Sequence, residues 1–145
     1  MGTNEKRRAK LLARMLKLRE IEHRRAAIDA AQALAVAQRS EQLAARARAL
    51  ANMEIRRDEV DLGDDLARRL TSGSRLRDIA HTVERQAAFA QSHAQLRMQQ
   101  ERIASHRRDQ LEERRAALLE QAAQRVAARE LQNNPGGRRT GTDRE

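Results

Sequence analysis

Two stretches of the chain contain neither glycine nor proline, Glu5 to Leu62 and Ser74 to Asn134. Proline removes a backbone donor and clashes with the preceding turn, and glycine costs about 1 kcal/mol relative to alanine inside a helix. Stretches this long without either are free to be helical, and a helix of roughly 60 residues is about 90 Å long at ~1.5 Å per residue. Helical patterns of such length belong to coiled coils or helical repeats rather than to compact globular packing. No repeat of solenoid period is present, which leaves the coiled coil. Composition says how thick its seam can be. Ala, Glu, Lys, Leu and Arg supply 86 of the 145 residues, the signature of long helices. Leu, Ile, Val and Phe together supply only 26, while Ala alone supplies 27. Such a chain cannot build a thick core, but it can pair two helices along one thin, Ala-rich line.

Breaker residues then place the joints. Thr71-Ser72-Gly73-Ser74 predicts a turn, since glycine supplies conformational freedom and Ser74 can cap the helix that follows. Gly63 reads as a point of fraying or kinking within the first helix. Asn133-Asn134-Pro135-Gly136-Gly137 reads as a stop signal. The expected fold is all-α: a long antiparallel two-helix coiled-coil hairpin over residues 1–132, with helices over 5–70 and 75–132 around a turn at 71–74. A disordered C-terminal tail is expected over 133–145.

Apolar residues at seven-residue spacing suggest where the helices meet. In the first helix Ile21, Ile28 and Ala35 form one series, then Val36, Leu43 and Leu50 continue one position later, and Met53 and Val60 repeat the interval. In the second, Leu76, Val83 and Ala90 give way to Phe89, Leu96 and Ile103, then to Ala104, Leu111 and Leu118. This predicts a seam with register slips, interrupted where Arg25, Gln32, Arg46 and Arg56 replace apolar groups.

Catalytic chemistry finds no foothold. The chain has no cysteine, so a disulfide framework, a thiolate zinc site and a thiol nucleophile are excluded. His23, His81, His93 and His106 fall on different helical faces and read as solvated. Asp64-Asp65 and Glu112-Glu113 are side-by-side surface acids with no pocket to shift them. Neither a glycine-rich phosphate loop nor a nucleophile elbow is present. The expectation is a non-enzyme with no cofactor, no metal and no small-molecule substrate. No apolar run approaches the ~20 residues that span a bilayer. Arg14 and Lys17 interrupt what would be the apolar part of a signal peptide, so the expected location is cytoplasmic.

A net charge of +9 and a pI near 11.4 raise the question of nucleic acid. Arg24-Arg25, Arg56-Arg57, Arg68-Arg69, Arg107-Arg108 and Arg114-Arg115 could clamp phosphates. Interspersed acids and the absence of aromatic stacking platforms argue for a solvated charged face instead. The charge is unevenly distributed. Lys6, Arg7, Arg8, Lys10, Arg14, Lys17 and Arg19 make the opening segment basic, whereas Asp58, Glu59, Asp61, Asp64 and Asp65 make the end of the first helix acidic. Leu76, Ile79 and Val83 share one helical face near the joint. They either close the hairpin on Leu62, Leu66 and Leu70 or face a partner.

The opening Leu11-Leu12-Ala13-Arg14-Met15-Leu16-Lys17-Leu18-Arg19-Glu20-Ile21-Glu22 resembles the start of the flagellar export protein FliJ family, a Leu-rich basic segment running into an acidic, Ala-rich helix. The chain length, the Leu70-Thr71-Ser72-Gly73 joint and the Leu76/Ile79/Val83 ladder fit the same family. The resemblance implies a component of the flagellar type III export apparatus, an antiparallel coiled coil similar to the central stalk of rotary ATPases. It implies location at the inner face of the membrane-embedded apparatus. It also implies two partners, the hexameric export ATPase and the cytoplasmic domain of the export gate, with export chaperones as further candidates. Carried over by resemblance, the ATPase-ring contact falls on Arg8, Arg14, Lys17, Leu18 and Arg19, with Arg125 and Arg129 opposite. The export-gate contact falls on Leu76, Ile79 and Val83. The rival readings are a general cytoplasmic coiled-coil adaptor and a basic coiled coil that binds nucleic acid.

Overall fold

The computed structural model describes residues 3–58 and 65–133. Two helices account for all of them: α1 spans Thr3–Asp58 and α2 spans Asp65–Asn133. They pack against each other as a helical hairpin. The antiparallel sense is visible in the side-chain ties between them. Partners on α2 fall steadily as α1 rises, from His23–Glu101 through Asp29–Arg97, Glu41–Gln91 and Arg48–Glu84 to Glu54–Ser72.

The joint is not at 71–74. Those four residues lie inside α2, and the two helices are joined through residues 59–64, outside the described set. The hydroxyls that suggested a turn bond back along the helix instead. Thr71 Oγ1 donates to the Ala67 carbonyl at 2.9 Å, and the Ser74 hydroxyl donates to the Thr71 carbonyl at 3.0 Å. Serine and threonine are tolerated inside helices in this way. Gly73 is buried, and its missing Cβ leaves room for α1 to approach next to Glu54, which accepts from Ser72. Glycine here serves close packing. Gly63, read as a kink, and most of the acidic cluster at the end of the first helix lie outside the described residues. So does the expected tail beyond Asn133.

The chain divides into two units, each built from both helices. Unit 2 comprises residues 23–103. Between Ala26 and Ala51 the side chains that α1 turns toward α2 are Ala26, Ala30, Ala33, Ala37, Ser40, Ala44, Ala47 and Ala51, all buried or half-buried. Their spacing alternates four and three without a break. α2 answers with Gly73, Leu76, Ala80, Val83, Ala87, Ala90 and Ala94 in the same alternation. Ala33, Ala37 and Ala94 form a buried cluster with Ala90 against it. This is a strict heptad seam with small residues at nearly every inward position, and the distance between helices follows the side chains at their contact. The expected seam through Ile28, Val36, Leu43, Leu50 and Met53 is therefore wrong in phase. Those residues are exposed, as are Phe89, Leu96 and Ile103. Arg25, Gln32 and Arg46 do not interrupt a seam, because they too are exposed. The α2 series Leu76, Val83 and Ala90 is placed correctly.

Unit 1 comprises residues 1–22 and 104–145. Its seam is more conventional: Ala9, Leu12 and Leu16 of α1 and Ala104, Leu111, Leu118 and Ala122 of α2 are half-buried or buried. Ile21 is exposed. Arg125 donates to Glu5 across the pair. Arg108 hydrogen-bonds Asp109 at 2.6 Å, and that bond, with the nearby charges of Asp109, Glu112 and Glu20, raises the guanidinium above its ordinary pKa.

The small seam of unit 2 inverts the usual effect of substitution. Ala44 is 1% exposed and Leu43 is 56% exposed. Ala44→Leu is expected to destabilise the hairpin by about 1–3 kcal/mol through overpacking, while Leu43→Ala changes stability by less than ~0.5 kcal/mol. Urea denaturation followed by helical circular dichroism measures both. A larger loss for Leu43→Ala would refute the seam.

Candidate functional surfaces

The two flanks of the unit 2 seam differ in character. In an antiparallel pair, the positions after the seam on one helix face the same positions on the other. One flank carries Glu41, Arg48, Glu84 and Gln91. Arg48 Nε donates to Glu84 at 2.9 Å and its Nη2 to Glu41 at 3.4 Å, and Gln91 donates to Glu41 at 3.3 Å. This flank is internally tied, with Leu34 exposed one heptad before Glu41. The opposite flank brings Val36 beside His93 in a groove that Asp29, Gln32, Ala33 and Arg97 also line. Leu43 and Leu50 continue the Val36 position on α1, where α2 presents Gln86, His93 and Gln100, while Phe89, Leu96 and Ile103 lie one heptad position further from the seam on α2; the apolar residues are all exposed. Phe89, the sole aromatic residue, is 75% exposed.

In unit 1 the charged surface dominates. From Thr3 to Glu22 the chain holds seven Lys and Arg residues against Glu5, Glu20 and Glu22. Arg8, Arg14 and Lys17 are exposed and make no ion pair among the described residues. Leu18 is exposed beside them. Arg19 is half-buried and bonds Glu22 at 2.6 Å. On α2, Arg129 is exposed, whereas Arg125 is held by Glu5. Arg8, Arg14, Lys17 and Leu18 lie at four different heptad positions, so the basic segment is a collar around α1 rather than a single stripe.

The three residues assigned to one partner face at 76–83 separate. Leu76 and Val83 are half-buried in the seam against α1, and Ile79 alone is exposed. Closure of the hairpin uses the first two, although Leu70, expected opposite them, is exposed.

The histidines also separate. His81, His93 and His106 are exposed, with His106 hydrogen-bonded to Gln110 at 3.0 Å. His23 departs from the solvated reading: it is half-buried in the seam, with Nε2 2.9 Å from Glu101 Oε1 on α2. Sequence spacing along one helix could not reveal this pair, since its members are 78 residues apart. No group of three or more His, Asp or Glu side chains among the described residues is arranged to hold a metal. No described helix is long and apolar enough to cross a membrane.

A half-buried polar pair in a seam is costly to break on one side only, because the surviving partner loses its hydrogen bond. Glu101→Ala is expected to cost about 1 kcal/mol, and the His23→Ala/Glu101→Ala double variant to cost less than the sum of the two singles by about 0.5–1.5 kcal/mol. A double-mutant cycle in urea reads this coupling, and strict additivity would contradict it. In comparisons with known proteins, no family model, no curated protein and no solved structure matches the chain.

Proposed function

We propose that the chain is a non-enzymatic stalk component of a type III protein export apparatus of the flagellar kind. In this reading unit 1 engages a hexameric export ATPase and the chain couples that ring to the cytoplasmic domain of the export gate, with export chaperones as further partners. Its place is cytoplasmic, at the inner face of the membrane-embedded apparatus. The observation that carries the reading is the collar of exposed cations on α1, Arg8, Arg14 and Lys17, which make no ion pair among the described residues, next to exposed Leu18. A basic collar on a helical hairpin suits an acidic socket, because complementary charge steers and orients an encounter. Its mechanism is mechanical: an asymmetric hairpin biases the ring subunits unequally and passes that bias to the gate. Gate contact rests on Ile79 in this account, since Leu76 and Val83 are engaged with α1.

A second reading is favoured by the exposed apolar flank of unit 2, which suits a coiled-coil adaptor without any link to export. Mixing the chain with a purified export ATPase separates the two. The stalk reading predicts stimulated ATP hydrolysis, abolished by joint charge reversal Arg8→Glu, Arg14→Glu and Lys17→Glu with helicity unchanged. Absence of stimulation by the native chain contradicts the stalk, and stimulation that survives the reversal contradicts the assigned collar. Nucleic-acid binding is tested separately by titrating duplex DNA at increasing salt. Phosphate binding would weaken linearly in log salt with a slope near −0.9 per neutralised phosphate.

A further inference from the structure

Along part of its outward face α2 stops carrying charge. Phe89, Leu96 and Ile103 recur there every seven residues, each at least half exposed. Between Gln86 and Ile103, the residues three or four positions from a member of this line are Gln86, Ser92, His93, Gln99 and Gln100. All are exposed, and none is Asp, Glu, Lys or Arg, in a chain of which 35% is charged. Charge returns at Arg85. Scattered surface leucines need no explanation, but an exposed apolar line with a fixed period does. Seven residues is the repeat of one helix packed along another.

The neutral border narrows what that other helix is. A strongly acidic or basic partner would find no counter-charge on this face. Helices that lie on lipid carry Lys and Arg beside their apolar side, and this border has neither. α1 offers no equivalent surface to its own copy, because Arg39 and Arg46 border Val36, Leu43 and Leu50. A two-fold axis at Leu43 would set those arginines against each other, which like-charge repulsion opposes.

The α2 face is instead its own complement. Phe89 and Ile103 lie seven residues to either side of Leu96. Two copies of α2 laid antiparallel across a two-fold axis at Leu96 set Leu96 on Leu96 and Phe89 on Ile103. In that register Ser92 meets Gln99 of the second copy on one border, and His93 meets its Gln100 on the other. Donors and acceptors match. The Ser92 hydroxyl donates to the Ala88 carbonyl at 3.1 Å, which leaves its oxygen to accept from the Gln99 amide. Gln100 Oε1 accepts from Arg97 at 3.1 Å, which leaves its N–H groups to donate to the His93 ring. A symmetric contact needs this kind of self-match, since each residue meets its counterpart twice.

We infer that the outward face of α2 between Gln86 and Ile103 is a self-association surface, through which two copies of the chain pair antiparallel about Leu96. Three large apolar side chains per copy make a contact smaller than a standard interface. The dimer is therefore weak and reversible, with a Kd on the order of 10–100 μM. This inference uses unit 2 alone and does not depend on an export ATPase.

Sedimentation equilibrium of the full chain from ~5 to ~500 μM tests it. The mass is expected to rise from 16.5 kDa toward twice that value. Leu96→Glu places two carboxylates on the two-fold axis and raises the Kd at least about tenfold, and Leu96→Lys does the same with two ammonium groups. Mixed in equal amounts, these two variants associate again, because position 96 faces itself. Leu43→Glu, on the surface of α1, leaves association unchanged. Circular dichroism checks that each variant keeps its helicity. A chain that stays at 16.5 kDa throughout overturns the inference. So does a dimer indifferent to Leu96→Glu, a dimer dissolved by Leu43→Glu, or failure of the mixed variants to associate.

Discussion

From Ala26 to Ala51, the face that α1 turns toward α2 carries nothing longer than serine. That constraint governs the rest of unit 2. Small side chains on α1 let α2 approach, and the larger seam residues, Leu76 and Val83, come from α2 alone. Each alanine removes little apolar surface from water at about 25 cal/mol per Å². Stability therefore rests on many small contributions: continuous contact along the seam, the high helix propensity of alanine, and ties such as Arg48–Glu84. On α1 the large apolar residues of this unit, Ile28, Val36, Leu43 and Leu50, are on the surface. A chain whose biggest hydrophobic groups face outward in a regular line has its interaction chemistry written on its exterior.

The hairpin itself was legible in the sequence, because two stretches free of glycine and proline admit little else. The α2 seam was partly legible for a related reason. Leu76 and Val83, then Leu111 and Leu118, are large residues at inward positions, so hydrophobicity points to them correctly. All four share one heptad phase, and the apparent slip arose only from inserting Phe89, Leu96 and Ile103, which face outward. On α1 the same reasoning fails throughout unit 2. The largest apolar residues there lie one or more positions away from the seam, and its true members are distinguished by smallness rather than by hydrophobicity. The alternation from Ala26 through Ala33, Ala37 and Ser40 to Ala51 was the available signal, readable only by asking which face lacks bulk.

The misplaced joint has a similar origin. Gly73 is a strong breaker by propensity, yet tertiary packing decides its conformation, since a residue without a Cβ fits a close helix crossing as well as it fits a turn. The competing signal was Gly63 followed by Asp64 and Asp65, with acids favoured in the first turn of a helix. The collar in unit 1 was legible as charge but not as partnership. Composition shows which segment is basic, whereas only the fold shows that Arg125 and Arg19 are held by Glu5 and Glu22 while Arg8, Arg14 and Lys17 have no ion pair among the described residues.

The account stands or falls on which side chains face inward, and a chain without cysteine allows that to be read one position at a time. Single-cysteine variants at Ala37, Ala44 and Ala51, and at their neighbours Val36, Leu43 and Leu50, can be labelled with a maleimide under native conditions. Thiols at the three alanine positions should react at least about tenfold more slowly than in urea, limited by local opening. Those at the three neighbours should react as fast as in the unfolded chain. Protection of Val36→Cys, Leu43→Cys and Leu50→Cys with free reaction at the alanine positions would contradict the small-residue seam and everything built on it.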